Sequence, residues 1–244
     1  MYQFVISIAG HILQIETEFA RTMALCQEFI SDGVPEFCIR IKQTNINKER
    51  QQYIDSYGNN NVNNANLEML AFHTLLTEHL INQNILLVHG AVIAVNHQAY
   101  MFSAPSGTGK TFQMYQWLIN CPDAIVVNGD KPFIRFSDDG IPPLACGSPW
   151  AGKENMYTNT MVPLKSIILM ERAEENHIEQ ISFAEAFPGL LQQVYRPEDE
   201  EKMRKTLRLM QRLNGPVSFW RFQCNNFKDD CFDVAYNALV GKQE

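Results

Sequence analysis

What this chain lacks narrows it before any motif is read. No stretch approaches the run of about eighteen apolar residues that a membrane-spanning helix requires. The opening Met1–His11 has no basic segment ahead of its apolar residues and alternates in character, so no signal peptide is expected and the cytoplasm is. None of the six cysteines, Cys26, Cys38, Cys121, Cys146, Cys224 and Cys231, forms a CxxC pair. That argues against a zinc site and a thioredoxin-like motif, and suits buried thiols in a reducing compartment. Basic residues are outnumbered and the net charge is -7, which gives no long-range attraction for nucleic acid. Neither nucleic acid nor membrane is expected as a partner. Internal repeats are absent too, and the one biased tract is Asn59–Asn64.

What remains is an ordinary globular composition over 244 residues, long enough to bury a sizeable core. Residues 1–43 read as two or three strands with a short helix, because Phe4, Ile6 and Ile8 alternate and Phe37–Ile41 alternates again. The polar stretch from Gln43 to Asn66 offers little to bury and reads as a mobile boundary loop. Two domains are therefore expected: an α+β lobe over 1–65 and a larger domain over 66–244. In the latter, Leu67, Leu70, Ala71, Leu75, Leu76 and Leu80 recur at helical spacing from Asn66 to Gln83, with Asn64 or Asn66 as cap. A strand Ile85–Val88 and a hairpin turning at Asn96-His97-Gln98 then lead to Ser103. Further expected elements are a helix Lys110–Asn120, strands Ala124–Asn128, Pro132–Phe136, Leu164–Met170 and Val217–Phe222, and helices Arg196–Leu213 and Lys228–Val240.

Ala104-Pro105-Ser106-Gly107-Thr108-Gly109-Lys110-Thr111 fits G-x-x-x-x-G-K-[ST] at every fixed position except the first, where alanine replaces glycine. Such a loop curls backbone N–H groups around an anion, and the helix that follows points its positive end at the same place. Ser106, Gly107, Thr108 and Gly109 would form the cradle. Lys110 would add a full charge to the terminal phosphates and Thr111 a hydroxyl to a magnesium ion. The pattern, set between an expected strand and an expected helix, implies nucleotide binding.

Three further features surround it. Asp130 ends the strand after the loop helix, where a carboxylate can meet the metal or take the proton of an attacking hydroxyl, or else simply form a turn before Lys131-Pro132. The Gly/Pro-containing segment Cys146–Glu154 either closes over the phosphates, with Lys153 on the transferring group and Glu154 on metal or acceptor, or is a surface turn around Trp150. His89, followed by Gly90, is either a core histidine or a residue facing the phosphates.

The order of these features resembles the HPr kinase/phosphorylase family, whose nucleotide site is similar to that of phosphoenolpyruvate carboxykinases. Val88-His89-Gly90-Ala91, Ser106–Thr111, Asn128-Gly129-Asp130-Lys131-Pro132 and the Gly147–Glu154 loop resemble in particular the serine kinases of this type, lasso-peptide kinases among them, over roughly residues 85–175. The resemblance implies an α/β mixed-sheet P-loop fold with a small N-terminal α+β lobe. It also implies a serine kinase using ATP and Mg2+, a peptide or protein acceptor, and a homo-oligomer. Lys110 and Thr111 carry over as phosphate and magnesium ligands, and Asp130 as the second of two paired aspartates. Gly129 stands in place of the first, which favours one-way phosphorylation over reversible phosphorolysis. Two other functions stay open: a nucleotide-binding regulatory module, and a carboxykinase-like enzyme acting on a small acid.

Overall fold

The computed structural model describes residues 1–241, and their contacts divide them into two compact units that meet between Gln83 and Asn84 in sequence. In the smaller unit, β1 (Tyr2–Ile8) and β2 (His11–Thr17) form an antiparallel hairpin, and β3 (Phe37–Arg40) adds in parallel to β2. Alternation buries Phe4, Ile6 and Ile8 beside Leu13 and Ile15. Three helices complete this unit: α1 (Ala20–Leu25), α2 (Gln43–Tyr57) and α3 (Asn64–Asn82).

Two expectations are corrected here. The stretch expected to be a mobile loop folds as α2 over most of its length, because its polar side chains find tertiary partners rather than water. Thr74 Oγ1 of α3 donates to Glu49 Oε1 at 3.0 Å, Ile46 is fully buried, and Arg50 donates to Asn60, Asn64 and the Val62 carbonyl. The contacts also group α3 with the smaller unit, whereas the sequence reading ends that lobe at residue 65. A buried carboxylate helps to fix α3 there. Glu68 accepts from the backbone N–H groups of Glu18 and Phe19 and from Thr22 Oγ1, at 2.6, 3.2 and 2.8 Å, and so satisfies the entry to α1. Asn63, rather than Asn64 or Asn66, caps α3 by accepting from Asn66 N at 2.9 Å.

The larger unit is mixed α/β around a mixed sheet. Its strands are β4 (Ile85–Leu87), β5 (Ala91–Val95), β6 (Gln98–Ser103), β7 (Ile125–Asn128), β8 (Phe133–Arg135), β9 (Leu144–Cys146), β10 (Met161–Arg172), β11 (His177–Ile181) and β12 (Ser218–Cys224). Its helices are α4 (Lys110–Asn120), α5 (Phe183–Gln193), α6 (Glu200–Gln211) and α7 (Cys231–Leu239). The main path runs β4-β8-β9-β10-β6-β5-β7, with β12 also parallel to β10 and β11 antiparallel to β12. Because β6, β10 and β12 run parallel, their carboxyl ends open on the same side.

Helices cover both faces, which is why the strands read as continuous apolar runs. On β5 the alternation is divided between two cores. Ala91, Ile93 and Val95 pack with Met114 and Trp117 of α4 and Ala235 of α7, while Val92 and Ala94 pack with Leu190 of α5 and Leu209 and Met210 of α6. The β5–β6 turn puts Asn96 and His97 at φ 51° and 59°, the pair of left-handed residues a two-residue hairpin requires. Strands β9 and β11 and helix α5 are not foreseen from sequence. Among the described residues no helix is long and apolar enough to cross a membrane.

Candidate active site

The loop between β6 and α4 is built by two glycines with distinct backbone needs. Gly107 and Gly109 sit at φ 81° and 125°, which residues with a Cβ avoid. Ala104 lies outside that region, so alanine at the first motif position meets no backbone penalty. The hydroxyl of Ser103, the last residue of β6, donates to the His89 carbonyl at 2.9 Å and fastens the root of the loop to the segment joining β4 and β5. At the other end Lys110 opens α4, only 8% exposed, and its Nζ donates to the carbonyls of Ala104 and Pro105 at 2.8 and 3.2 Å. Burial lowers its pKa, and the charge of Asp130 works against that.

Asp130 follows β7 in a turn organised by a buried asparagine. Asn128 Oδ1 accepts from the backbone N–H groups of Asp130 and Lys131 at 2.9 and 2.7 Å, and its Nδ2 donates to the Ser148 carbonyl at 2.9 Å. The Asp130 carbonyl accepts from Gly90 N at 2.8 Å, so the aspartate and His89 are tied through backbone as well as side chains. His89 Nε2 lies 3.3 Å from Asp130 Oδ1, and its Nδ1 lies 2.8 Å from Gln193 Oε1 at the end of α5. The imidazole is thereby held from both sides. Burial pushes the Asp130 carboxyl up, but the His89 hydrogen bond and charge, with Lys131 and Lys110, outweigh it and leave its pKa below the usual carboxylate value.

The segment after β9 closes the third side. Its stem is fastened: Ser148 Oγ donates to the Lys131 carbonyl at 2.6 Å, Lys131 N donates to the Trp150 carbonyl at 3.1 Å, and Thr158 Oγ1 donates to the Val126 carbonyl at 2.9 Å. The tip, residues 152–155, is exposed, while residues 147–149 and Ala151 are buried. The backbone on either side of the tip presses on Gly129, where an added Cβ would lie 2.9 Å from the Ala151 carbonyl oxygen and 3.3 Å from that of Met156. The position that the resemblance assigns to a first aspartate therefore has no room for one.

One cavity of about 470 Å3 is lined by His89, Ser106, Gly107, Gly109, Lys110, Thr111, Gly129, Asp130, Gly152, Lys153 and Glu154. Every residue given a candidate role in catalysis, phosphate or metal binding lines it except Thr108, which lies between two lining glycines and lines a neighbouring hollow. Two contributors escaped sequence reading: Gln193 orients His89, and Arg172, at the end of β10, donates to the Gly107 carbonyl. Neither carries a local motif, and each reaches the site from a distant part of the chain. Asn128 stands in the motif before Asp130, but its task of shaping the Asp130 turn shows only in the structure.

The protein's own oxygen donors suit magnesium better than a metal caged wholly by side chains. Among the described residues no cluster of three or more His, Cys, Asp or Glu could hold a metal ion. Thr111 and Asp130 nevertheless share the cavity, and magnesium is commonly held by one or two protein oxygens together with phosphate oxygens and water.

No family model matches this chain, and no curated protein matches it. Among solved structures, the Hpr(Ser) kinase/phosphatase from Coxiella burnetii is similar over 52% of this chain and 90% of its own, at 10% identity and a TM-score of 0.29. So weak a likeness carries no argument about activity.

Proposed function

We propose that this protein is an ATP-dependent kinase that transfers the γ-phosphoryl group to a hydroxyl, a serine of a peptide or protein. The observation that carries this reading is the convergence of the Lys110 loop and the His89–Asp130 pair on one cavity. In this reading the N–H groups of Gly107 to Thr111 and the Lys110 ammonium receive the phosphates, which requires Nζ to leave the Ala104 and Pro105 carbonyls. Asp130 receives the hydroxyl, orients it, and takes its proton as the oxygen–phosphorus bond forms and the bond to the β-phosphate oxygen breaks. His89 keeps Asp130 ionised and pointed into the cavity. Magnesium would be held by Thr111 and, directly or through water, by Asp130, and would offset the negative charge of the phosphates. In this reading Lys153, at the exposed loop tip, meets the transferring group, and Glu154 the metal or the acceptor.

A regulatory nucleotide-binding module is the second reading, favoured by the crowding at Gly129 that leaves Asp130 without a paired acid. Incubation with γ-labelled ATP, magnesium and lysate of the source organism separates the two. The kinase reading expects a labelled acceptor, recoverable by mass spectrometry, that disappears with Asp130→Asn while nucleotide binding persists. Tight binding with no transfer to any acceptor would leave the module.

A further inference from the structure

Beside the phosphate cavity lies a second hollow of about 380 Å3, lined among others by Thr108, Arg172, Cys224, Asn226 and Phe227. The two adjoin along the loop, since Gly107 and Gly109 line the first and Thr108 lines the second. Both walls of the hollow are attached to that loop. Arg172 donates to the Gly107 carbonyl, and the Asn226 side chain lies against Gly109, where an added Cβ would run into its amide.

Phe227 is the anomaly here. Its residue is 98% exposed, although its backbone is fixed: Phe227 N donates to Asn225 Oδ1 at 3.0 Å, and Asn225 is itself tied to Asn176 and to the Glu174 carbonyl at 2.7 and 2.9 Å. An anchored backbone that presents an unpacked phenyl ring at the rim of the hollow contributes nothing to the core. It does offer a flat apolar surface for a planar ligand. Asn226 adds an amide with both donor and acceptor capacity, the complement of a heterocycle edge. The hollow is lined by one side chain of each sign, Arg172 and Glu174, so it suits a neutral group better than a second anion. Its volume falls in the range of small-molecule sites, roughly 300–1,000 Å3.

We infer that this hollow takes the base of the nucleotide whose phosphates fill the glycine loop, with the base stacked on Phe227 and its edge facing Asn226. The inference rests on the phosphate site proposed above. A triphosphate held along Gly107–Thr111 has its far end free to turn past Thr108, where the hollow opens.

Calorimetric titrations with ATP and with inorganic tripolyphosphate, each with magnesium, test it on wild-type protein, Phe227→Ala and Phe227→Trp. Wild-type protein should bind ATP at least about tenfold more tightly than tripolyphosphate. Phe227→Ala should weaken ATP binding by about 5- to 150-fold, the range for loss of one base–aromatic stack. Tripolyphosphate binding should not change, and Phe227→Trp should restore ATP binding. If Phe227→Ala binds ATP as wild type does while tripolyphosphate still binds, the base lies elsewhere and this inference falls while the phosphate site stands. If wild-type protein binds neither ligand, both fall. The residue is too exposed for its loss to threaten folding.

Discussion

Replacing Gly129 by aspartate looks like a restoration of a paired-acid site, and the structure predicts damage instead. An added Cβ would sit 2.9 Å from the Ala151 carbonyl oxygen, 3.3 Å from that of Met156 and 3.4 Å from Met114 Cε. Two of these are backbone atoms in the stem fastened by Ser148, Lys131 and Thr158, which cannot withdraw as a flexible side chain would. Overpacking of this kind costs about 1–3 kcal/mol. The carboxylate would add to it, because the nearest polar atoms are acceptors and an unsatisfied buried group costs about 1–3 kcal/mol more. For a chain of this size each kcal/mol lowers the thermal midpoint by about 2–4 °C, so a fall of at least about 4 °C is expected. Gly129→Ala, which adds the crowding without the charge, should fall less. Differential scanning calorimetry on the three proteins measures this, and a magnesium-ATP titration should show no tighter binding by Gly129→Asp. An unchanged midpoint with tighter metal-nucleotide binding would refute the argument, since the space would then exist and the fixed stem would not.

Two further outcomes follow from the same geometry. His89→Ala removes the hydrogen bond and charge that hold the Asp130 carboxyl below its ordinary value, so its pKa should rise. In wild-type protein the depressed pKa makes a stability contribution that is present above the unfolded carboxylate value and lost as pH falls through the folded value. The variant should lose that contribution, and the acidic limb of its phosphotransfer pH profile should move to higher pH; an unmoved limb would separate His89 from Asp130. In the smaller unit, Glu68→Ala strands the N–H groups of Glu18 and Phe19 and the Thr22 hydroxyl, so denaturant unfolding should show a loss of at least about 3 kcal/mol.

The residues that line the cavity were more legible in the sequence than their surroundings, for a physical reason. The glycine loop is local: Gly107, Gly109, Lys110 and Thr111 form one pattern within a few positions, and the strand and helix on either side have clean apolar periods. Strand β5 and the turn at Asn96-His97 were equally clear, because burial on two faces and a two-residue reversal leave short-range signatures. What stayed hidden depends on long-range partners. The polar segment that becomes α2 is ordered by Thr74 against Glu49 and by the Val62 carbonyl against Arg50, and no count of its own apolar residues shows that. Helix α5 carries Pro188-Gly189, which locally reads as a break, yet Ser182 and Glu185 close a capping box at its start and Leu190 is buried. Gln193 matters only because that helix ends at His89. The crowding at Gly129 belongs to the same class, since the carbonyls responsible come from a loop more than twenty residues later.

The central claim is that Lys110 and the glycine amides grip a nucleotide's phosphates within reach of Asp130. Its most direct test is calorimetric titration of magnesium-ATP into wild-type protein and Lys110→Ala, with both confirmed as folded. The account predicts saturable binding by wild type and a loss of several kcal/mol, on the order of a hundredfold or more in affinity, in the variant. Equal affinity in the two, or no binding by wild-type protein, would contradict it.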